Sequence, residues 1–184
     1  MSWLAVATGL QFLILIGLAV VVLSLARQIG ILHERTAPAS LARNQPHLHA
    51  GDRLPEITVP TLAGGKVSLG GGQTTESFTS LLFIAADCPI CRSVLPAYQS
   101  ALETGAVSAY WVGDGMPLAA FERYADEQGI DPERLLLSQE LGLRLGVRAL
   151  PALALLDAGQ RLVSLDIIDG PAQIRKLMAT ESFN

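Results

Sequence analysis

Cysteine is nearly absent from this chain, at two residues in 184, Cys88 and Cys91. Histidine is scarce as well: His33, His47 and His49 are all there are, and none follows residue 49. A structural zinc site needs four ligands. The cysteines could supply half of one, but the histidines stand far upstream of them. Aromatic residues make up 5% of the chain, and the 13 lysines and arginines form no patch interleaved with them. That argues against a nucleic-acid partner. Gly70-Gly71-Gly72 has no Lys-Ser/Thr after it, so it reads as a turn and not as a phosphate loop. No internal repeat or low-complexity tract competes with a single folded domain, and nothing in the sequence calls for a cofactor.

Charge is missing from one end. No Asp, Glu, Lys or Arg precedes Arg27, and residues 3–26 are mostly Leu, Val, Ile and Ala. As helix, these 24 residues would run about 36 Å, enough to cross a hydrocarbon core of about 30 Å. A cleaved signal peptide would have a basic n-region and an apolar run of only about 7–15 residues, so the segment reads as a single transmembrane anchor. The remainder of the chain holds all the formal charge and is mildly acidic, with a net charge of −4 for the whole chain. Helix is expected to continue past Arg27 and to break at Pro38. Residues 27–51 read as a juxtamembrane linker in which His47 and His49 are solvated. Residues 52–184 are long enough for one domain with a real core.

The two cysteines stand where such a domain could use them. Leu81-Leu82-Phe83-Ile84-Ala85-Ala86 is short and continuously apolar, as a buried parallel strand should be. Asp87-Cys88-Pro89-Ile90-Cys91 comes next, and proline suits the first turn of a helix because its missing N–H has no partner to lose. Cys88 then sits at a helix N-terminus, with Cys91 one turn later on the same face. The unsatisfied N–H groups and the positive helix end favour a thiolate, the form that attacks disulfides. A second thiol at i+3 can reach back and resolve the mixed disulfide. This is a dithiol–disulfide active site, with Cys88 as nucleophile and Cys91 as resolving thiol. Half a metal site and a purely structural disulfide are the competing readings; the latter would close so small a loop that it constrained the unfolded chain little.

The rest of the chain predicts alternating elements. A strand pair over 52–69 turns at Gly64-Gly65. After the strand at 81–86 come a helix over 89–103, a strand over 107–112 and a helix over 117–128. That helix places Leu118, Phe121 and Tyr124 inward and stops at Gly129. A short strand at 135–137 and a short helix at 140–145 lead to a hairpin over 149–167 turning at Ala158-Gly159. A last helix at 172–180 turns Ile174, Leu177 and Met178 inward. Pro96 falls inside the helix that carries Cys91, where a proline costs roughly 3 kcal/mol and kinks the helix.

Cys-x-x-Cys with a proline five residues on, between a strand and a helix, resembles the active-site helix of thioredoxin-like proteins. The element order also resembles that α/β fold, a mixed central sheet flanked by helices. The resemblance implies that Leu150-Pro151 is a cis peptide facing the cysteines, with Leu150 and Pro151 binding the substrate chain through the backbone. The uncharged N-terminal run, Gly30-Ile31-Leu32-His33-Glu34-Arg35-Thr36-Ala37-Pro38-Ala39, Cys-Pro-Ile-Cys and Leu137-Ser138-Gln139-Glu140-Leu141-Gly142-Leu143 together resemble the MauD family of methylamine utilization proteins. These are thioredoxin-like accessory proteins for methylamine dehydrogenase. The resemblance implies a protein that helps mature the disulfide-rich small (β) subunit of that enzyme, with Cys88 and Cys91 as the redox-active disulfide pair. It also implies placement in the bacterial inner membrane with a periplasmic domain. Arg27, Arg35 and Arg43 would by charge alone hold the domain in the cytoplasm, but Glu34 lies among them, and thiol–disulfide work on exported proteins belongs in the oxidising periplasm. The anchor itself motivates a further expectation, an integral-membrane electron-transfer partner.

Two residues depart from the thioredoxin pattern. Thioredoxins proper carry a buried acid where this chain has Leu82, and Trp where it has Asp87, whose carboxylate disfavours the Cys88 thiolate. Other functions on the same fold are an anchored reductant for cytochrome c maturation, a redox-inert scaffold, and a copper-delivery module. The last resembles Cys-x-x-x-Cys with a distal histidine, and this chain has neither.

Overall fold

A computed structural model describes residues 3, 6–20, 47–72, 78–103, 107–115 and 117–181. The chain divides into two units, Met1–Gln45 and Pro46–Asn184. In the first, residues 6–20 are helical, with their large apolar side chains exposed. Among the described residues, no helix is long and apolar enough to cross a membrane. Residues 21–26 of the run expected to span one, and the expected break at Pro38, lie outside the described residues.

The second unit opens with a two-stranded antiparallel sheet, β1 (Ile57–Pro60) and β2 (Lys66–Leu69), in which Ile57 pairs with Leu69 and Pro60 with Lys66. The main sheet has five strands, β3 (Thr79–Phe83), β4 (Ser108–Gly113), β5 (Leu135–Leu137), β6 (Ala152–Leu156) and β7 (Leu162–Ile167). Their order is β5-β4-β3-β6-β7: β3 runs parallel to β4 and β4 to β5, while β3–β6 and β6–β7 are antiparallel. The helices are α1 (Pro89–Glu103), α2 (Leu118–Gln128), α3 (Gln139–Leu145) and α4 (Pro171–Glu181). This is the mixed sheet with flanking helices that the order of elements predicts.

Strand alternation divides the core in two. On one face Leu82, Trp111, Leu153 and Leu155 pack with Val94, Leu95 and Tyr98 of α1, Phe121 and Tyr124 of α2, and Ile174 and Met178 of α4. On the other, Leu81, Phe83, Val112 and Ala154 pack with Ile57 and Val59 of β1 and with Leu141 and Leu145 of α3. Each fully buried Leu or Phe contributes about 1.5–3 kcal/mol, so β3, buried along its whole length, anchors both layers.

Three features differ from the sequence expectation. The strand expected over 81–86 runs instead from Thr79 to Phe83, and it starts early because Thr79 and Ser80 are buried with partners: Gln160 Nε2 donates to Thr79 Oγ1 at 3.1 Å, and Ser80 Oγ lies 2.8 Å from the Tyr98 hydroxyl. Leu118 is 47% exposed while Phe121 and Tyr124 are buried. A helical side chain covers the turn before its own Cα, and Leu118, opening α2, has no such turn. Residues 47–51, expected in the linker, are tied to the domain: Leu48 N donates to Arg144 O at 3.0 Å and Gly51 N to Leu162 O at 2.7 Å.

Candidate active site

The β3–α1 junction builds the site. β3 ends at Phe83, and Ile84 N still donates to Val112 O at 2.9 Å, holding the chain at the sheet's C-terminal edge. The chain then turns, with Cys88 N donating to Ala85 O at 3.2 Å, and α1 begins at Pro89. Cys88 and Cys91 form a disulfide whose Cα atoms stand 5.2 Å apart. Cys91 is completely buried, while Cys88 is half-buried and packs at the margin of the same core. Of the two sulfurs, Cys88 is therefore the one open to an incoming group, and Cys91 lies behind it.

Helix geometry favours charge on Cys88. The Cys91 N–H donates to Cys88 Sγ at 3.2 Å, one of the first-turn donors that have no partner within the helix. On a thiolate this bond becomes charge-assisted and roughly twice as strong. Asp87, immediately before Cys88, is exposed, so water and salt screen its opposing charge. Leu82, where thioredoxins proper carry an acid, is fully buried beside Cys91 in the apolar core. No carboxylate lies in that position to take a proton from Cys91.

Arg92, which carries no signal in the sequence beyond its place after Cys91, ties this turn down. Its Nη2 donates to Ala86 O at 3.5 Å, its Nη1 stands 3.3 Å from Glu127 Oε2, and its guanidinium lies 5.5 Å from the centre of the Tyr124 ring. The contacts are individually weak, with Arg92 and Glu127 each about half exposed, but they join the loop before Cys88, α1 and α2. Burial pushes the Tyr124 hydroxyl up to about 12, and the Arg92 charge pulls it only partly back. Beneath α1, burial pushes the Tyr98 hydroxyl far above its ordinary value, against the opposing hydrogen bond with Ser80. α1 continues through Pro96, which leaves the Arg92 carbonyl without its usual helical donor.

Leu150 and Pro151 lie at the same end of the sheet as the cysteines. Pro151 is buried and its peptide with Leu150 is cis. Ala152, the next residue, pairs with Phe83, the last strand residue before the cysteine loop, and Ile168 N donates to Pro151 O at 2.8 Å. Leu150 itself is 41% exposed. The His47 and His49 rings lie 5.1 Å apart, tilted by 35°. Among the described residues no group of three or more His, Cys, Asp or Glu side chains is placed to hold a metal.

No family model matches the chain. It is 32% identical over 162 residues to the methylamine utilization protein MauD of Paracoccus denitrificans, covering 88% of this chain and 80% of that one. It is also 32% identical over 157 residues to MauD of Methylorubrum extorquens, covering 85% and 76%. Among solved structures, the thioredoxin domain of a thiol-disulfide oxidoreductase from Bacteroides vulgatus superposes with a TM-score of 0.60 at 17% identity, covering 73% of this chain and 99% of that one. At that identity the match establishes the thioredoxin-like fold.

Proposed function

The chain belongs to the methylamine utilization protein MauD family, and from that premise we propose that it is a thiol–disulfide oxidoreductase serving methylamine utilization. The observation that carries the reading is the asymmetric pair: half-exposed Cys88 at the start of α1, its sulfur accepting the Cys91 N–H at 3.2 Å, and Cys91 wholly buried behind it. In the oxidising direction a client thiolate attacks Cys88 Sγ, and Cys91 leaves as a thiolate. A second client thiolate then attacks the client sulfur of the mixed disulfide and releases Cys88. Two electrons pass to the protein and one disulfide to the client. Run the other way, the Cys88 thiolate attacks a client disulfide and Cys91 resolves it; attack without resolution by Cys91 permits isomerisation.

The proposed client is the disulfide-rich small (β) subunit of methylamine dehydrogenase. A subunit that must close many disulfides correctly needs a partner able to form and exchange them, and methylamine utilization is the setting in which the relatives are named. The charge-free run at residues 3–26 supports single-pass anchoring in the inner membrane, and the dithiol chemistry supports a periplasmic domain. An integral-membrane protein would exchange electrons with Cys88.

The test is trapping in cells with full-length Cys91→Ser, which leaves the mixed disulfide at Cys88 unresolved. Capture of the amine dehydrogenase small subunit is the expected result. Capture of apo-cytochrome c would move the reading to haem maturation. No trapped species, with growth on methylamine intact in Cys88→Ser, would overturn the redox assignment in favour of scaffolding.

A further inference from the structure

A cavity of about 230 Å³ opens behind the cis-proline loop. Its lining is mostly apolar, with Phe83, Val112, Leu143, Val147 and Leu150, and also takes in Asp114, Ser138, Gln139 and Arg148. Four separate segments meet there: the end of β3, the end of β4 with the residue after it, α3 with its cap, and the loop from Val147 to Leu150. Phe83 and Val112 belong to the core layer under α3, whereas Cys91 and the margin on which Cys88 packs belong to the layer under α1. Apart from Ile84, which belongs to the α1 layer, the cavity thus lies on the α3 face of this end of the sheet and the disulfide on the α1 face, with Leu150 in the cavity wall.

We infer that this cavity is a specificity subsite, which takes an aliphatic or aromatic side chain immediately beside the reacting cysteine of an extended client segment. The inference rests on the proposed function, together with the backbone pairing of the client at Leu150 that the thioredoxin resemblance implies. Successive side chains of an extended chain point to opposite faces. A client cysteine directed at Cys88 on one face sends its immediate neighbours to the other, where the cavity lies. Size agrees. Pockets that bury small molecules span about 300–1,000 Å³, and this one is smaller.

Gly142, in α3, provides the probe. A Cβ built on it would stand 3.6 Å from the Phe83 ring and 3.9 Å from the Val147 Cβ, ordinary contact distances, so Gly142→Leu fills the cavity without a clash at its root. Full-length Cys91→Ser in detergent is loaded at Cys88 with a chromophoric nitrothiobenzoate. Each incoming thiolate forms a new disulfide with Cys88 and releases the coloured thiolate. Two peptides with one cysteine each are compared, one flanked by leucines and one by alanines; glutathione reports the chemistry of Cys88 without a neighbouring side chain. The leucine peptide is expected to react about tenfold faster than the alanine peptide. Gly142→Leu should bring that ratio near one, and Leu143→Ala should raise the rate of a phenylalanine-flanked peptide relative to the leucine peptide. Equal rates for the leucine and alanine peptides in the parent protein, or a preference that survives Gly142→Leu, would overturn the subsite. If Gly142→Leu does not fold, an unchanged phenylalanine preference in Leu143→Ala overturns it instead. Failure of glutathione and both peptides to displace the chromophore would overturn the redox reading, and the subsite with it.

Discussion

Two buried tyrosines that look alike in sequence should respond oppositely to loss of their hydroxyls. Tyr98 is fully buried under α1, with its O–H 2.8 Å from Ser80 Oγ and its ring edge-on to Trp111 at 5.6 Å between centroids. Tyr98→Phe keeps the ring packing but strands Ser80 Oγ, whose remaining side-chain contact is Met178 Sδ at 4.0 Å. Leaving a buried polar group unpaired costs about 1–3 kcal/mol. The Tyr124 hydroxyl is buried with no hydrogen-bond partner among the described residues. Tyr124→Phe removes an already unsatisfied group and keeps the ring under Arg92, so it should be neutral or slightly stabilising. With a urea m-value near 2 kcal/mol/M, a loss of about 2 kcal/mol moves the midpoint by about 1 M. Unfolding of the oxidised full chain in detergent, followed by far-ultraviolet circular dichroism, reads the difference. Ser80→Ala combined with Tyr98→Phe removes both partners and should recover much of the loss. The reasoning is refuted if Tyr124→Phe destabilises as much as Tyr98→Phe, or if the double variant is worse than Tyr98→Phe alone.

The same tyrosines set an alkaline limit. Both hydroxyls are raised in the folded state, Tyr124 to about 12, against about 10 when unfolded. Their contribution is therefore whole below pH about 10 and is lost as pH rises toward 12, with a slope approaching about 1.4 kcal/mol per pH unit for each. Tyr98→Phe should about halve that slope in urea titrations run from pH 9 to about 11.5, and an unchanged slope would contradict the assignment. At the end of β4, Gly113 lies so close to the Phe121 ring that an added Cβ would overlap it. Gly113→Ala should lower stability by about 1–3 kcal/mol in the same assay, with recovery when Phe121→Leu is added. Ser138 Oγ accepts from Leu141 N at 3.1 Å and caps α3, so Ser138→Ala should cost about 1 kcal/mol and Ser138→Asp should not.

Elements that a single segment announces by itself were legible in the sequence. The helix from Pro89 to Glu103, the strand at 135–137, and the stop at Gly129, left-handed in the structure, arise from local pattern and turn chemistry. Features that need distant partners were not legible. Thr79 and Ser80 look like loop residues because their burial depends on Gln160 and Tyr98, 81 and 18 positions away. Gln160 is itself buried at positive φ and also accepts from Gly70 N. Arg92 reads as an ordinary helical cation until α2 brings Glu127 and Tyr124 beside it. The cavity beside Leu150 was beyond reach for the same reason, since no one of its four segments carries a pocket signature.

The burial of Cys91 also decides how the dithiol meets oxidants other than disulfides. Peroxide reaching the reduced site finds Cys88 first and converts it to a sulfenic acid. Left alone, that group climbs to sulfinic and sulfonic acids that most cells cannot reverse. Here the second sulfur is already in place one helical turn away, with Cα atoms 5.2 Å apart in the closed pair. It condenses with the sulfenic acid, expels water and returns the site to the disulfide. The arrangement that lets one cysteine be attacked thus also keeps that cysteine from irreversible damage.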